Sequence, residues 1–413
     1  MLRRERRRRE RGVPLEKAPA VLENLLEGIL RFWDESLLDT EAGGYHFGHD
    51  ARGRLTGSDS RHLVTQARTA WFFARLARSP YGEDRHLEWA AHGIRFLGAR
   101  MWDTRHGGFF WEVGPDGPRD ERKHLYGQAF AVFALSEFGL AAGDHASLAF
   151  AAEVAELLDS RAHDDLYGGF LECHAADWSD EPAGSMGLLG RPVECKTANT
   201  HLHLMEALTE LARADPAAAV PRRRLQELVL IMSGLVVDRA AGTSVDAHAR
   251  DWSPVPGPSS FGHDVEDVTL LIAACEAAGL PAAMLDRVYT SLWDNALDHG
   301  FDSGRGGFYT SGPPGRAAER RDKVWWVQAE ALLSALHMWK RTGDERYRQA
   351  FELTLAWVAE VQADDAGGDW HAVVDRNGVP SGDKSGPWKD PYHQGRATLD
   401  CLELLAEEPT QDD

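Results

Sequence analysis

A period limits what this chain can fold into more than any other feature. Asp39, Asp103, Asp164, Asp238, Asp302 and Asp364 each open a short loop, at steps of roughly 60 to 75 residues. Five loops carry paired glycines: Gly43-Gly44-Tyr45, Gly107-Gly108-Phe109, Gly168-Gly169-Phe170, Gly306-Gly307-Phe308 and Gly367-Gly368-Asp369-Trp370. The fourth, around Gly242, keeps a single glycine. Glycine supplies positive φ in a tight turn and the aromatic starts an extended segment, so each loop is expected to be a hairpin. Two helical patterns fill each interval, giving about twelve helices in pairs. One pair cannot bury both its faces, whereas six pairs closed into a ring surround the inner helices and leave one mouth open. The expected fold is all-α, an (α/α)6 barrel (toroid) with short β-hairpin loops at the mouth.

Inner helices, apolar nearly all round but polar at their starts, are expected at roughly 61–77, 123–139, 196–213, 263–278, 323–341 and 393–406. More heavily charged outer helices are expected near 19–38, 83–101, 145–161, 221–237, 281–297 and 344–362. Residues 15–408 then form a single barrel, preceded by a disordered, arginine-rich tail over 1–14. A formal net charge of −20 argues against a nucleic-acid surface. No apolar run of about eighteen residues marks a membrane span, and the tail lacks the apolar segment of a signal peptide. Cys173, Cys195, Cys275 and Cys401 are far apart without a Cys-x-x-Cys pair, as in the reduced thiols of a cytoplasmic protein.

Because every inner helix follows a hairpin loop, all the inner N-termini meet at one rim. That rim gathers Arg68; Lys123, Tyr126 and Gln128; Lys196, Asn199 and His203; His263 and Glu266; Lys323, Trp325, Trp326 and Glu330; and Trp388, Lys389, Tyr392, His393 and Arg396. Helix N-termini favour acids, so recurring lysines and histidines point to a site. In Asn199-Thr200-His201-Leu202-His203 the two histidines point about 200° apart, and His203, on the face of Asn199 and Glu206, is the one expected at the cavity. Glu266 shares a helix face with His263 and is expected to orient that imidazole. The histidines and glutamates come from different helices without metal-ligand spacing, so no metal is expected. Among 14 tryptophans, those at a mouth can stack on sugar rings.

Six motifs in this order carry a resemblance: Gln66-Ala67-Arg68, Lys123-His124-Leu125-Tyr126-Gly127-Gln128-Ala129-Phe130, Lys196-Thr197-Ala198-Asn199-Thr200-His201-Leu202-His203, Phe261-Gly262-His263-Asp264-Val265-Glu266, Lys323-Val324-Trp325-Trp326-Val327-Gln328-Ala329-Glu330 and Gly386-Pro387-Trp388-Lys389-Asp390-Pro391-Tyr392-His393. Together they resemble the N-acylglucosamine 2-epimerase family, in particular its cellobiose and mannose 2-epimerase branch. The resemblance implies a cofactor-free epimerase or isomerase of a reducing-end aldose, monomeric or homodimeric, with a small sugar as its partner and no nucleic acid or membrane. It implies that Arg68 holds the substrate near its carbonyl end, that His203 assists ring opening or anchors a ring oxygen, and that His263 and His393 move the proton at C2. Tyr126, Asn199, Glu266, Trp325, Trp326, Glu330, Trp388 and Lys389 are the expected substrate-binding residues, with Trp326 and Trp388 against the sugar rings.

The chemistry agrees with that division. A C2 proton becomes removable once the pyranose opens, because the aldehyde delocalises the charge as an enediolate that Arg68 can stabilise. Inversion needs proton delivery to the opposite face, whereas transfer to C1 gives a ketose from one face. The alternatives are an aldose–ketose isomerase, an inverting glycosidase using Glu266 and Glu330, and a non-catalytic binding protein.

Overall fold

The computed structural model describes residues 12–188 and 190–407. Among them lie twelve α-helices. Outer helices α1 (Ala18–Phe32), α3 (Asp84–Phe96), α5 (His145–Ala162), α7 (Ala219–Ile231), α9 (Asp286–Asn295) and α11 (Glu345–Trp357) alternate with inner ones. The inner set is α2 (Leu63–Arg78), α4 (Leu125–Ala142), α6 (Ala198–Ala214), α8 (Phe261–Ala278), α10 (Trp325–Thr342) and α12 (Tyr392–Ala406). Each inner helix packs on the next, and α12 returns to α2, closing the ring. Helix α1 buries one stripe, Leu22, Leu25, Leu26 and Ile29, as a wall helix should. By contrast α4 is buried at every position from Leu125 to Gly139. It is long and apolar enough to cross a membrane, contrary to expectation, yet 83% of it lies inside the protein. An inner helix has neighbours on all sides and needs no polar face.

Helices α2, α4, α6 and α10 begin two residues later than expected, because Arg61–His62, Lys123–His124, Lys196–Thr197 and Lys323–Val324 are strands. Each pairs antiparallel with a strand beyond the next loop, Arg61 with Val113, Lys123 with His174, Lys196 with His248 and Lys323 with Val374. Ser259 pairs likewise with Gly312, and a bridge between His49 and Ser385 completes the circuit. Adjacent repeats are thus stitched at the mouth. Helix α1 stops at Phe32, short of the expected 38, whereas α3, α7, α9 and α11 run on through π turns to Met101, Val236, Gly300 and Gln362.

The periodic loops close as hairpins; in the first, the Asp39 N–H donates to the Gly44 carbonyl and the Gly43 N–H to that of Asp39, each at 3.0 Å. In the sixth, positive φ falls on Gly368 (+73°) and Asp369 (+52°), one residue later than the glycine pair. A glutamine from the inner helix locks the following aromatic: Gln66 on Tyr45, Gln128 on Phe109 and Gln328 on Phe308, in each case accepting the N–H and donating to the carbonyl. The four cysteines form no disulfide. Of the expected disordered tail, 1–11 lie outside the described residues, while the Val13 N–H donates to the Glu352 carbonyl on α11 at 3.0 Å.

Candidate active site

Helix α6 separates its two histidines as its geometry demands. His201 Nδ1 donates to the Thr197 carbonyl at 2.8 Å, so Nε2 accepts the Phe170 N–H at 3.0 Å. It takes the place that glutamine holds in other repeats. His203 faces the barrel interior, where its Nδ1 donates to Glu206 Oε2 at 2.9 Å. From α12, His393 makes a second such pair, Nδ1 to Glu330 Oε1 at 2.6 Å. One guanidinium joins the pairs: Arg396 donates from Nη1 to Glu206 and from Nη2 to Glu330 Oε2 at 2.5 Å. Tyr392 adds its hydroxyl to Glu206 Oε1 at 2.5 Å. With each Nδ1 engaged, the Nε2 atoms carry the lone pairs available for chemistry.

Burial pushes His203 down to about 4 and His393 down to about 3, against the attraction of Glu206 and Glu330. Both imidazoles are therefore neutral bases at neutral pH. Burial works against Glu330 too, but Arg396 and His393 hold it down to about 2. Glu266 goes the other way, raised well above the usual range by burial and by the charge of Glu330. Its Oε1 lies 3.9 Å from both His203 Nε2 and His393 Nδ1 and has no hydrogen-bond partner among the described residues. The expected pairing of Glu266 with His263 is not formed, because Glu266 sits one turn deeper, beside His203 of α6 and His393 and Arg396 of α12.

His263 remains half-buried in the first turn of α8, its ring making no hydrogen bond to a described residue. It lies 5.1 Å from the Trp326 ring, which is in turn 5.6 Å from His393. Gly262 permits this approach, since a Cβ there would fall 2.5 Å from the indole. Arg68 is buried over the rings of Phe130 (4.0 Å) and Tyr392 (4.8 Å) and donates to the Tyr126 hydroxyl at 2.7 Å. Asp390, absent from the expected set, lies 3.7 Å from Arg68 and is pushed up to about 6 by burial. Trp388 is 44% exposed and stands 6.0 Å from Tyr126. Asn199 is half-buried without a hydrogen bond to a described residue.

Two expected binding residues belong to the scaffold instead. Lys389 donates to Asp369 Oδ2 at 2.5 Å and to the Lys384 carbonyl at 2.9 Å. Trp325 is buried with its ring 5.7 Å from that ammonium. Lys123, Lys196 and Lys323 behave like Lys389, each bonded to the aspartate of its loop, Asp103, Asp164 or Asp302. Buried cations need a paired anion, and the loop aspartates supply it. Glu206 and Arg396 are functional residues outside the expected set of catalytic and binding side chains; each lies three residues after a site histidine, on the same helix face.

A cavity of about 640 Å³ opens at the opposite end, beneath Glu206 and Arg396 and among Arg75, Glu137, His337 and Asp400. Size alone does not place chemistry there; the imidazoles, the indoles and Arg68 gather at the N-terminal mouth.

The sequence profile of the N-acylglucosamine 2-epimerase (GlcNAc 2-epimerase) family matches residues 43–397, and the chain belongs to that family. It is 29% identical to a cellobiose 2-epimerase of Bacteroides fragilis, over 92% of this chain and 96% of that protein. The solved structure of a cellobiose 2-epimerase from Spirochaeta thermophila superposes with a TM-score of 0.84 at 32% identity, covering 95% of this chain and 97% of the other. A D-mannose isomerase of Marinomonas mediterranea is 25% identical over 95% of this chain and 99% of its own.

Proposed function

We propose that this enzyme is a cofactor-independent sugar 2-epimerase. It interconverts glucose- and mannose-configured reducing-end aldoses, either the free hexoses or cellobiose-type disaccharides. The observation that carries the reading is the pair of buried histidine–carboxylate couples joined through Arg396, with a third imidazole, His263, left without a partner at the mouth. His203 assists opening of the pyranose. His393 and His263, each beside the Trp326 ring, take the C2 proton from one face and return one to the other. The electron pair of the broken C2–H bond delocalises onto the carbonyl oxygen as an enediolate, which the Arg68 guanidinium stabilises. A neutral imidazole has the lone pair that accepts the C2 proton, and its depressed pKa favours passing an acquired proton on. Trp326 and Trp388 wall in the sugar, with Tyr126 and Asn199 within reach of its hydroxyls.

The glycosidase alternative fits less well. Glu266 and Glu330 have pKa values displaced in opposite directions, as an acid and a base require. Their ligand atoms, however, lie within 4.8 Å of each other, nearer than the roughly 5–9.5 Å that a glycosidic bond or water needs, and both Glu330 oxygens are already bonded. That same cluster, with His393, has the donors of a metal site, but Arg396 already supplies a positive charge to it. Activity should survive extensive chelation; loss on EDTA treatment, restored by one divalent ion, would overturn the cofactor-free reading. An aldose–ketose isomerase is the second reading, favoured by the likeness to the D-mannose isomerase. Incubating the enzyme with glucose, mannose or cellobiose in deuterated water tests both readings. Deuterium at C2 of an inverted aldose is the expected result. A ketose product indicates the isomerase, and absence of C2 exchange with all three sugars would remove both.

A further inference from the structure

The glycine loops are covered from the side by the turn that follows each stitching strand. Two of these turns share one backbone, with Trp178 N–H to Ala175 carbonyl at 3.0 Å in the first and Trp252 N–H to Ala249 carbonyl at 2.9 Å in the second. Both tryptophans adopt φ +67°, where a bulky side chain is strained. Each indole caps a glycine loop, Trp178 Nε1 donating to the Gly107 carbonyl and Trp252 Nε1 to that of Gly168, both at 3.2 Å. The turn over the fifth loop repeats this backbone, Gly378 N–H to Asp375 carbonyl at 2.9 Å, but the residue in the indole position is Gly378, at φ +87°. A cavity of about 540 Å³ stands there, lined by Arg305, Tyr309, Arg321, Lys323, Trp357 and Arg376, with the carboxylates of Asp302 and Asp375 also on its wall.

Its charges are unusual for a chain of net −20. Arg250, which occupies the place of Arg376 over the third loop, is clamped on both oxygens of Asp164, at 2.9 and 3.1 Å. Arg376 makes no side-chain hydrogen bond to a described residue. Among the described residues the guanidinium of Arg305 donates only to the Arg376 carbonyl (2.9 Å), and that of Arg321 only to the Ala318 carbonyl (3.2 Å). None of the three forms an ion pair with a described carboxylate, although like charges gathered around one space repel. Lys323 is already paired with Asp302 at 3.0 Å and lies 3.7 Å over the Trp357 ring.

We infer that this cavity binds a small sugar bearing an oxyanion, a carboxylate or a phosphate. The sugar ring occupies the position that an indole fills in the two sister turns, against Tyr309 and Trp357. Arg305, Arg321 and Arg376 receive the anion, as planar guanidinium forks suit carboxylate and phosphate oxygens. The site lies beside the fifth loop, apart from the histidine network, so it stands independently of the catalytic reading.

Calorimetric titration of the full chain with glucuronate and with glucose 6-phosphate tests it, with inorganic phosphate as the ringless probe. At least one acidic sugar should bind, about ten-fold tighter than inorganic phosphate. Both Arg376→Gln, an exposed site, and Gly378→Trp, which restores the indole of the sister turns, should weaken that binding about ten-fold while leaving C2 exchange at its original rate. Should Gly378→Trp fail to fold, Arg321→Gln replaces it. Failure of both sugars to bind, binding unchanged in Arg376→Gln and its companion variant, or inorganic phosphate binding as tightly would each overturn the proposal. Whichever acidic sugar binds tighter tells carboxylate from phosphate.

Discussion

Arg396 serves two carboxylates from two different inner helices, Glu206 of α6 and Glu330 of α10, so its removal should be felt twice. Arg396→Met leaves Glu206 and Glu330 buried without their cation, and a loss of about 3–5 kcal/mol in unfolding free energy is expected from urea titration. Arg396 also lowers the pKa of both His203 and His393, so NMR titration of the variant should find both imidazoles raised. In the unaltered enzyme, with His203 at about 4 and His393 at about 3, kcat/KM should hold its neutral value well below pH 6. An acid limb centred on the ordinary histidine value would mean that neither residue is the base. His393→Asn should reduce C2 deuterium exchange by about two to four orders of magnitude with the fold intact. Near-normal exchange would pass the role to His203.

Among the elements, the glutamine forks invite a direct test. Gln128→Leu removes both partners of the Phe109 backbone, and about 1–3 kcal/mol is expected for each buried group left unpaired. Hydrogen exchange at the Phe109 amide should rise with it. The recurrence of Gln-Ala at 66, 128 and 328 was legible because each fork sits on a helix of readable period. The equivalent place in α6 holds His201, a different side chain doing the same job, and no local pattern reveals that. The lysines misled for a related reason. A lysine at a helix start looks misplaced until its aspartate is known, and that partner lies 20, 32 or 21 residues away for Lys123, Lys196 and Lys323. The repeat, the helices and the histidines all follow from neighbours in sequence. The Arg396 link to Glu206 spans 190 residues and had to be seen in space.

At the scale of the molecule, buried carboxyls make stability depend on pH. Burial raises Asp264 to about 7 and Asp267 to about 8, from 3.8 in the exposed state. The folded chain therefore binds more protons than the unfolded one, and this contribution, full below 3.8, is lost as pH climbs toward 8. The depressed histidines act oppositely, losing stability as pH falls below 6.5 toward about 4. Above 6.5 the histidine contribution is complete and the buried carboxyls set the slope, so Tm should fall between there and pH 8. Asp267→Asn should flatten that fall; an unchanged slope would show that Asp267 ionises freely.

Five short turns join an inner helix to the next outer helix at the end away from the mouth, and the sixth such position lies between α12 and α1, where the described chain ends and begins. Helix α12 packs against α1 there, as the five joined pairs do. The polypeptide thus has no privileged starting point. A circular permutant, with a short linker from α12 to α1 and new termini at the Gly143 turn between α4 and α5, should assemble the same mouth and retain its activity.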